Sequence, residues 1–469
     1  MSRINTNVTS LIAQNVLAKN NTQLNLSLQR LGTGLKINSG ADDPAGLIAA
    51  QNLLAEQAGI NSAVSNAQRD SNIIGTADGG LSEVSSLLTQ LQGLTTQAAN
   101  SGGMSSDEIA ANQLQVDSIL STINRVAGST SFQGMNLLNG NFDYTTTGVN
   151  TTNFTNVQVN AATLPDNQPV NVVVAVTQSA RTATLGYTGG ALGANNAVTL
   201  QIAGNQGTQQ ISFAGGTTVA QMVTGINSLK GATGVSAVNS AGDLGLYSTV
   251  FGADQYVSLT TQSGTFVPTA AKATGRDAIV TVNGAAATAK GLNVSYRSSN
   301  LDIAIGLGTA FNTAGNDSFQ ITGGGMTFGL GSQVTQSSKS SIGIGSVTTG
   351  SLGDNMNGYL SSLGSGMTNS LSSGNLVTAQ QIVDKSITQV STLRGRIGAF
   401  QKFTLGSTIN SLNVALENAS AATSAIEDTD FAAETSNMTR AQILSQAAST
   451  VLAQANTAPQ SVLTLLRGG

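Results

Sequence analysis

The sequence contains no cysteine, no histidine and no tryptophan. Without cysteine the chain can form neither disulfides nor thiolate metal sites, and it has no cysteine nucleophile. Without histidine it lacks the commonest metal ligand and the usual general base near pH 7. Together with the lack of any metal-ligand spacing, these absences count against an enzyme, so we expect no catalytic site, no metal and no cofactor.

Charge is also scarce, since 9% of the 469 residues are Asp, Glu, Lys or Arg, against roughly 25% in an average soluble protein. The net charge of −4 provides no basic surface that would hold nucleic acid. The N-terminal residues have no apolar core run and do not predict a Sec signal peptide. The amides near the C-terminus and Pro459 count against a membrane helix there, so we expect no membrane partner.

Aromatic residues are missing from residues 1–130, where Pro44 is the single proline. Heptad patterns with alternating steps of three and four take their place, which is typical of coiled coils. Two series run along this part of the chain: Leu17, Leu24, Leu28, Leu31 and Leu35, and then Ile74, Ala77, Leu81, Val84, Leu88, Leu91, Thr95 and Ala98. Ser105 and Glu108 predict a capping box for a further helix.

The C-terminal side carries the same kind of pattern. One series runs from Val383 to Ile426, and the acids of EDTD at 427–430 predict the start of a new helix. The last predicted seam consists of Ala441, Leu444, Ala448, Val451, Ala455, Ala458, Val462 and Leu465. Pro459 lies inside this seam, and we expect it to kink or break the helix there.

Between about residues 140 and 370 the pattern changes to short β-branched runs bounded by Gly, Asn or Ser turns. The stretch TVAQMVTGINSL at 218–229 predicts one helix among these strands. The predicted fold class is therefore mainly α at the termini, whose N- and C-terminal coiled-coil helices pair into a rod, with a β-rich central insert. An ordinary helical bundle is the alternative that the heptads alone leave open.

The helix faces outside the seams carry little charge. Residues 1–41 contain no acid and four cations, while residues 441–466 contain no charged side chain. A solvated helix normally carries Lys and Glu at such positions. Uncharged faces can pack against other helices without the desolvation cost of buried ions. Because one chain cannot cover all these faces, we predict that the termini lie inside an assembly of many copies.

Three stretches could suggest chemistry, and each has a simpler interpretation. Asp42 and Asp43 before Pro44 are interpreted as helix-start acids and not as a metal or acid–base pair. EDTD lacks the glycine and final Glu of a calcium loop. GGGMTFGLGS at 323–332 lacks the Gly-Lys-Ser/Thr of a phosphate loop, so its glycines are interpreted as β-turn residues. The sequence therefore predicts no enzyme.

The chain resembles bacterial flagellins in three long stretches: INTNVTSLIAQNVLAKNNTQLNLSLQRLGTGLKINSGADDPAGL near the start, NRVAGSTSFQGMNLLNG at 124–140, and IEDTDFAAETSNMTRAQILSQAASTVLAQANTAPQSVLTLLR at 426–467. The resemblance covers roughly 1–140 and 375–467, and residues 199–228 are similar to a motif of flagellin outer domains. The DDP element also occurs in flagellar hook-junction proteins, which are a close alternative. The long C-terminal stretch favours flagellin.

The resemblance implies three domains. Residues 1–40 and 430–469 would form an inner coiled-coil filament-core domain, and residues 41–170 and 370–429 a helical rod with a small β-hairpin. Residues 171–369 would form a variable, surface-exposed outer region, for which we expect two subdomains with about 182–268 outermost.

The resemblance also implies a function: a structural subunit that polymerises into the extracellular flagellar filament for swimming motility. Flagellins are exported unfolded by the flagellar type III apparatus and assemble through their terminal helices. The implied partners are further copies of the chain, a flagellar export chaperone, and the cap and hook-junction proteins. A hook-junction protein present in few copies and an enzyme carried in the insert are the competing readings.

The predicted filament-core interface sets four N-terminal residues against four C-terminal ones: Leu11, Leu24, Leu28 and Leu31 against Leu444, Val451, Leu463 and Leu466. A second predicted surface concerns the Toll-like innate receptor that recognises some flagellins through LQRVRELAVQSAN and a facing helix. The matching stretch LTQLQGLTTQAAN at 88–100 keeps Leu94, has Gln90 in place of the key Arg, and faces Gln115 in place of a Glu. Losing a charge-assisted contact costs roughly 1.5–3 kcal/mol, so we predict weak receptor binding.

Overall fold

The structure, a computed structural model, describes residues 6–100, 103–165, 168–354 and 357–468, with backbone alone over 458–467. Its α-helices in these ranges are α1 (Val8–Thr33), α2 (Pro44–Ala98), α3 (Ser106–Ser129), α4 (Val219–Ser228), α5 (Lys230–Thr233), α6 (Leu376–Ala399), α7 (Gly406–Glu427) and α8 (Phe431–Arg467). A π-helical turn, Phe400–Leu405, joins α6 to α7.

The strands all lie between α3 and α6. In chain order they are β1 (Ser131–Phe132), β2 (Met135–Asn136), β3 (Tyr144–Thr147), β4 (Phe154–Ala162), β5 (Val170–Gln178), β6 (Thr184–Tyr187), β7 (Val198–Gly204), β8 (Gly207–Phe213), β9 (Val235–Ser240), β10 (Asp243–Ser248), β11 (Tyr256–Ser263), β12 (Lys272–Thr274), β13 (Ile279–Val282), β14 (Ala285–Lys290), β15 (Asn293–Arg297), β16 (Leu301–Leu307), β17 (Gly315–Gly324), β18 (Met326–Gly329), β19 (Lys339–Ile342), β20 (Gly353–Asp354) and β21 (Gly358–Tyr359). This order confirms the predicted fold class of helical termini around a β-rich insert.

The chain forms two compact units. The first contains the residues up to Gln68, the segment Gly329–Ser338 and the residues from Leu405 onward. The second contains Arg69–Phe328 and Lys339–Thr404. Helix α2 contributes its residues 44–68 to the first unit and 69–98 to the second. The three-domain division drawn from the sequence stays a prediction.

Acidic side chains start two helices of the first unit. Asp43 Oδ1 accepts a hydrogen bond from Gly46 N at 2.9 Å, one turn into α2. Asp430 Oδ1 accepts from Ala432 N at 2.9 Å at the start of α8. Such bonds satisfy backbone donors that a helix N-terminus leaves unpaired. The acids before Pro44 and in EDTD therefore serve as the helix-start residues that the sequence predicted.

The end of α1 lies beside the connection between α7 and α8 in the first unit. Lys36 N donates to Glu427 O at 2.5 Å, and Thr429 N donates to Gly34 O at 2.9 Å. These two backbone bonds hold the N-terminal and C-terminal parts of the chain together. Helix α8 then continues through Pro459 to Arg467, so the alternative of a break is wrong, while the alternative of a kink stays a prediction. Proline removes one backbone N–H, a small part of the hydrogen bonding of a 37-residue helix.

Helices α2 and α6 pack together in the second unit. Arg394 Nε lies 3.0 Å from Asp78 Oδ1, and Gln92 Nε2 donates to Asp384 Oδ1 at 2.7 Å. The second predicted heptad series of α2 is at most 1% exposed at every position: Ile74, Ala77, Leu81, Val84, Leu88, Leu91, Thr95 and Ala98. The sequence pattern therefore identified this buried face correctly.

Two helix starts were also predicted correctly. Ser105 and Glu108 form the capping box of α3, with Ser105 N donating to Glu108 Oε2 at 2.7 Å. Helix α4, predicted at 218–229, begins with a second capping box between Thr218 and Gln221. In both cases a sequence of four residues was enough to predict where the helix begins.

The insert has two hydrophobic cores in the second unit. An eight-stranded sheet, in the order β3-β17-β5-β13-β14-β15-β16-β4, covers a core that includes Phe154 and Phe319. Sheets β6-β10-β9 and β12-β11-β7-β8 pack with α4 around a second core that includes Leu200 and Met222. Each core is continuous along alternate strand residues, as expected for antiparallel sheets with one buried face.

Arg396 of α6 links the helical part of the second unit to its strands. Its Nη1 donates to Asn160 Oδ1, and its Nη2 donates to Gly343 O at 2.5 Å. Asn160 Nδ2 in turn donates to Asp302 Oδ1 at 2.9 Å. Burial raises the pKa of the nearby Asp143 carboxyl, against the lowering influence of a backbone N–H and Arg396. In the described residues, no helix is long and apolar enough to cross a membrane.

Candidate assembly interface

Helices α1 and α8 pack side by side in opposite directions. Ser10 Oγ donates to Asn456 Oδ1 at 2.7 Å near the start of α1. Further along, Ser445 Oγ donates to Asn21 Oδ1 at 2.7 Å. The residue numbers rise along one helix as they fall along the other, so the two chain ends form an antiparallel pair.

Small residues make up much of the buried seam between these two helices. On α1 the seam consists of the buried Ser10, Ala13 and Ser27 and the half-buried Leu17, Asn20, Leu24 and Leu31. On α8 it consists of the buried Glu434, Ala441 and Ala448 and the half-buried Met438, Ser445, Leu452 and Ala455. Both sets keep steps of three and four, which confirms the predicted coiled-coil period.

The seams predicted from sequence were wrong at three positions. Leu28 is 51% exposed, Leu444 is 47% exposed and Val451 is 58% exposed. In each case the neighbouring residue, one position away, occupies the seam. Two sets of α8 residues share the same three–four spacing, so the period alone could not choose between them. A choice by side-chain size gave the wrong set, because the closely packed antiparallel helices have much alanine and serine in their seam.

The other predicted interface residues have different surroundings. Leu24 and Leu31 lie half-buried in the seam, while Leu11 is 52% exposed. The side chains of Leu463 and Leu466 lie outside the described residues. Their role at an interface between copies stays a prediction.

A groove of about 360 Å³ runs along one side of the helix pair. It is lined by Thr9, Ile12, Ala13, Val16, Asn20, Leu444, Ala447, Ala448 and Val451, none of which is charged. Ile12 is 57% exposed and Val16 is 44% exposed. Neither residue was predicted from the sequence. The two lie four residues apart beside the seam, and this spacing could have indicated that they share one face of the helix. Together with Leu444 and Val451 they leave an apolar surface uncovered in the single chain.

The positions compared with receptor-binding flagellins lie in the second unit. Gln90 on α2 and Gln115 on α3 are exposed, and Leu94 is half-buried. Their weakened receptor contact stays a prediction.

The glycine-rich stretch at 323–332 has a structural role. Gly324 and Gly325 have positive φ angles of 89° and 74° at the turn between β17 and β18, as β-turn glycines would. Throughout the part of the chain that the structure describes, no group of three or more acidic side chains could hold a metal ion.

Both helical ends of the chain match models of known protein families. The family model described as the bacterial flagellin N-terminal helical region matches residues 4–143, and the C-terminal helical region matches 380–466. The flagellin hook IN motif matches 199–250. A flagellin of Salmonella rubislaw is 32% identical over 505 aligned residues, covering 99% of each chain. The B-type flagellin of Pseudomonas aeruginosa is 27% identical, again covering 99% of each chain.

The chain therefore belongs to the bacterial flagellin family. It is a structural subunit of the flagellar filament and not an enzyme. Among solved structures it is similar to the D2-D3 domains of the cap protein FliD from Serratia marcescens, with 21% identity, a TM-score of 0.24, and 35% and 98% coverage of this chain and that one. FlgL from Xanthomonas campestris has 11% identity, a TM-score of 0.28, and 79% and 97% coverage. With TM-scores this low, neither likeness carries a structural argument.

Proposed function

We propose that this chain polymerises through its paired ends, with the uncovered faces of α1 and α8 buried against neighbouring copies in the filament core. The observation that carries the proposal is the apolar groove of Ile12, Val16, Leu444 and Val451, which stays open among the described residues of the chain. Membership of a filament-forming family supplies the occupant, since other copies are the neighbours of every subunit.

The absence of charge supports the same assignment. From Ala441 onward, α8 has no charged residue before Arg467, so neighbours could cover its faces without desolvating an ion. The surface also repeats in every subunit, so a small defect at one contact would recur along the whole filament. The interface predicted from sequence fits this arrangement at Leu11, Leu28, Leu444 and Val451, whose side chains are about half exposed in the single chain.

A single added charge tests the proposal. Val451→Asp would place a carboxylate in the groove, and burying it against a neighbour costs several kcal/mol per subunit. We expect purified Val451→Asp chain to stay in the supernatant after seeding, while the unchanged chain sediments as filaments. Asn437→Asp is the matched control, because it adds the same charge at an exposed position of α8 that does not line the groove, three residues before Arg440.

Normal sedimentation of Val451→Asp would overturn the buried-groove proposal. Loss of filaments in Asn437→Asp as well would show that any new carboxylate on α8 is harmful, and would remove the support for this groove. A chain that lacks residues 438–469 gives a coarser second measurement. Filaments from that truncation would contradict any assembly role for α8.

Motility and export extend this proposal. We infer that the filament drives swimming outside the cell, and that the chain leaves through the flagellar type III apparatus with α8 covered by an export chaperone until it reaches the cap and hook-junction proteins. Family membership supports this route. In the source bacterium, disabling that apparatus should keep the chain inside the cell. Its continued appearance in the medium would contradict the export route.

A further inference from the structure

The seam between α1 and α8 buries one pair of opposite charges. Arg30 Nη1 lies 3.8 Å from Glu434 Oε2, with the two side chains 21% and 8% exposed. The other charged residues described on these helices, Lys19 and Arg440, are exposed. Ser27, one turn before Arg30, is fully buried. Among the described residues, Ser27 Oγ, Arg30 Nε and Glu434 Oε1 have no hydrogen-bond partner.

This pair is a poor way to hold two helices together. A separation of 3.8 Å is too long for a hydrogen bond. Taking both charges out of water is costly, and well-packed apolar residues in their place often stabilise a protein equally well or better. Buried polar residues in coiled coils instead have a well-supported role in selecting register and partner.

The rest of the seam does not select a register. On α8, Ala441, Ala448 and Ala455 repeat every seven residues, and on α1, Leu17, Leu24 and Leu31 do the same. If one helix slides along the other by seven residues, Leu17 and Leu24 again lie opposite alanines. The leucine–alanine layers of the seam therefore survive such a slip. Glu434 interrupts the alanine repeat and makes its own position distinguishable.

A slip by one heptad would disturb the polar pairs together. Arg30 would face Ala441 in place of Glu434 and would be buried without a counter-charge. Asn21, which now accepts a hydrogen bond from Ser445 Oγ, would face Leu452. Unpaired buried polar groups are expensive, and the cost is larger for a charge. The native register is thus favoured by these polar contacts and by the backbone bonds of Lys36 N to Glu427 O and of Thr429 N to Gly34 O, which the slip would break, and not by the alanine seam.

We propose that Arg30 and Glu434 are positioning residues that, together with the backbone bonds between 34–36 and 427–429, fix the register in which the two ends of the chain pair. The inference rests on the proposed assembly function, because copies of the same helices lie side by side in a filament and offer one another shifted pairings. A fixed register gives every subunit the same groove and the same outer faces. Neighbouring contacts can then repeat along the polymer.

Disulfide trapping reads the register directly, because the chain has no cysteine of its own. The native-register reporter is Asn21→Cys with Ser445→Cys, whose side chains are in contact at 2.7 Å. The slipped-register reporter is Asn21→Cys with Leu452→Cys. Both are placed in the full chain, assembled into filaments, oxidised and analysed as intramolecular cross-links on a non-reducing gel. Because Asn21 is replaced in both reporters, a difference in cross-linking between backgrounds reflects the replacement of Arg30 and Glu434.

With Arg30 and Glu434 present, we expect the native reporter to cross-link at least tenfold more than the slipped one. In the Arg30→Met, Glu434→Leu background, we expect this ratio to fall towards one. The matched control is the Lys19→Met, Arg440→Leu background, which removes exposed charges from the same two helices and should keep the ratio. An unchanged ratio after replacing Arg30 and Glu434, or an equal fall in the control, would overturn the inference.

A background that assembles poorly does not end the test. The exchanged pair Arg30→Glu, Glu434→Arg restores opposite charges at the same positions, and a preference for the native reporter there supports the register role. Loss of that preference in the exchanged pair overturns it. The assembly proposal fails separately, if reporter chains that retain Arg30 and Glu434 do not sediment as filaments.

Discussion

Asp70 is a buried carboxyl whose removal should change how the stability of the second unit depends on pH. It lies in α2 and is 8% exposed. Burial raises its pKa from 3.8 to about 6, with Arg69 acting weakly in the opposite direction. Desolvation disfavours the ionised form, so the folded unit prefers the protonated acid. At neutral pH this carboxyl is charged, and it therefore destabilises the fold.

The sign of the effect follows from proton binding. Between about pH 4 and pH 6 the folded unit keeps a proton on Asp70 that the unfolded chain has lost, so stability falls as pH rises through this window. A shift of this size corresponds to about 3 kcal/mol above pH 6, at ~1.4 kcal/mol per pKa unit. The raised pKa of Asp143 acts in the same direction. Glu108, whose pKa the Ser105 N–H lowers, opposes it in more acidic solution.

Asp70→Asn replaces the carboxyl with a neutral group of the same shape. We expect the variant to match the unchanged chain near pH 4 and to exceed it by up to about 3 kcal/mol at pH 7.5. Denaturant unfolding of the monomer, followed by circular dichroism at several pH values, measures this difference. Asp254→Asn, in an exposed turn, is the control and should show no such dependence. A stability difference for Asp70→Asn that stays constant from pH 4 to pH 7.5 would refute the reasoning.

Two other substitutions probe separate surfaces. Gly59→Ala would place a Cβ 2.8 Å from Ser332 O, so we expect the segment Gly329–Ser338 to shift and thermolysin to cut it faster at Val334. Gly93→Ala is the control, because its Cβ would meet nothing within 4 Å, and it should leave the cleavage rate unchanged. Equal cleavage rates in the two variants would contradict the packing of this segment against α2. Purified monomer should activate the Toll-like receptor less than a strongly stimulating enterobacterial flagellin, and Gln90→Arg should raise the response. Equal potency of the unchanged chain would disprove the weakened contact.

Much of the helical framework could be predicted because its signals are local. Every predicted position of the α2 face from Ile74 to Ala98 is buried, since one set of positions there combines the right spacing with mostly apolar side chains. The starts of α3 and α4 were found from short capping sequences, which act within one turn. The sequence predicted that the insert is rich in strands. It could not predict how the strands pair, because the paired residues lie far apart in the sequence.

The phase of the α1–α8 seam could not be predicted, for a physical reason. Along α8, the set containing Leu444 and Val451 and the set containing Ser445 and Leu452 satisfy the same spacing. Choosing by hydrophobicity assumes that the largest apolar surface is buried within one chain. That assumption fails if another copy buries it, as we propose. The groove was missed for the same reason, because Ile12 and Val16 stay about half exposed among the described residues.

The composition of the seam supports the proposal that the ends of this chain depend on assembly. Alanine and serine bury little apolar area, and each apolar Å² contributes only about 25 cal/mol. Ordering each backbone residue costs roughly 1–2 kcal/mol. A helix pair held by such a seam gains little from its own contacts, whereas the exposed Leu444 and Val451 can contribute once a neighbour covers them. The added charge of Val451→Asp is therefore best judged in the polymer, where that surface would be buried, and not by the stability of the monomer.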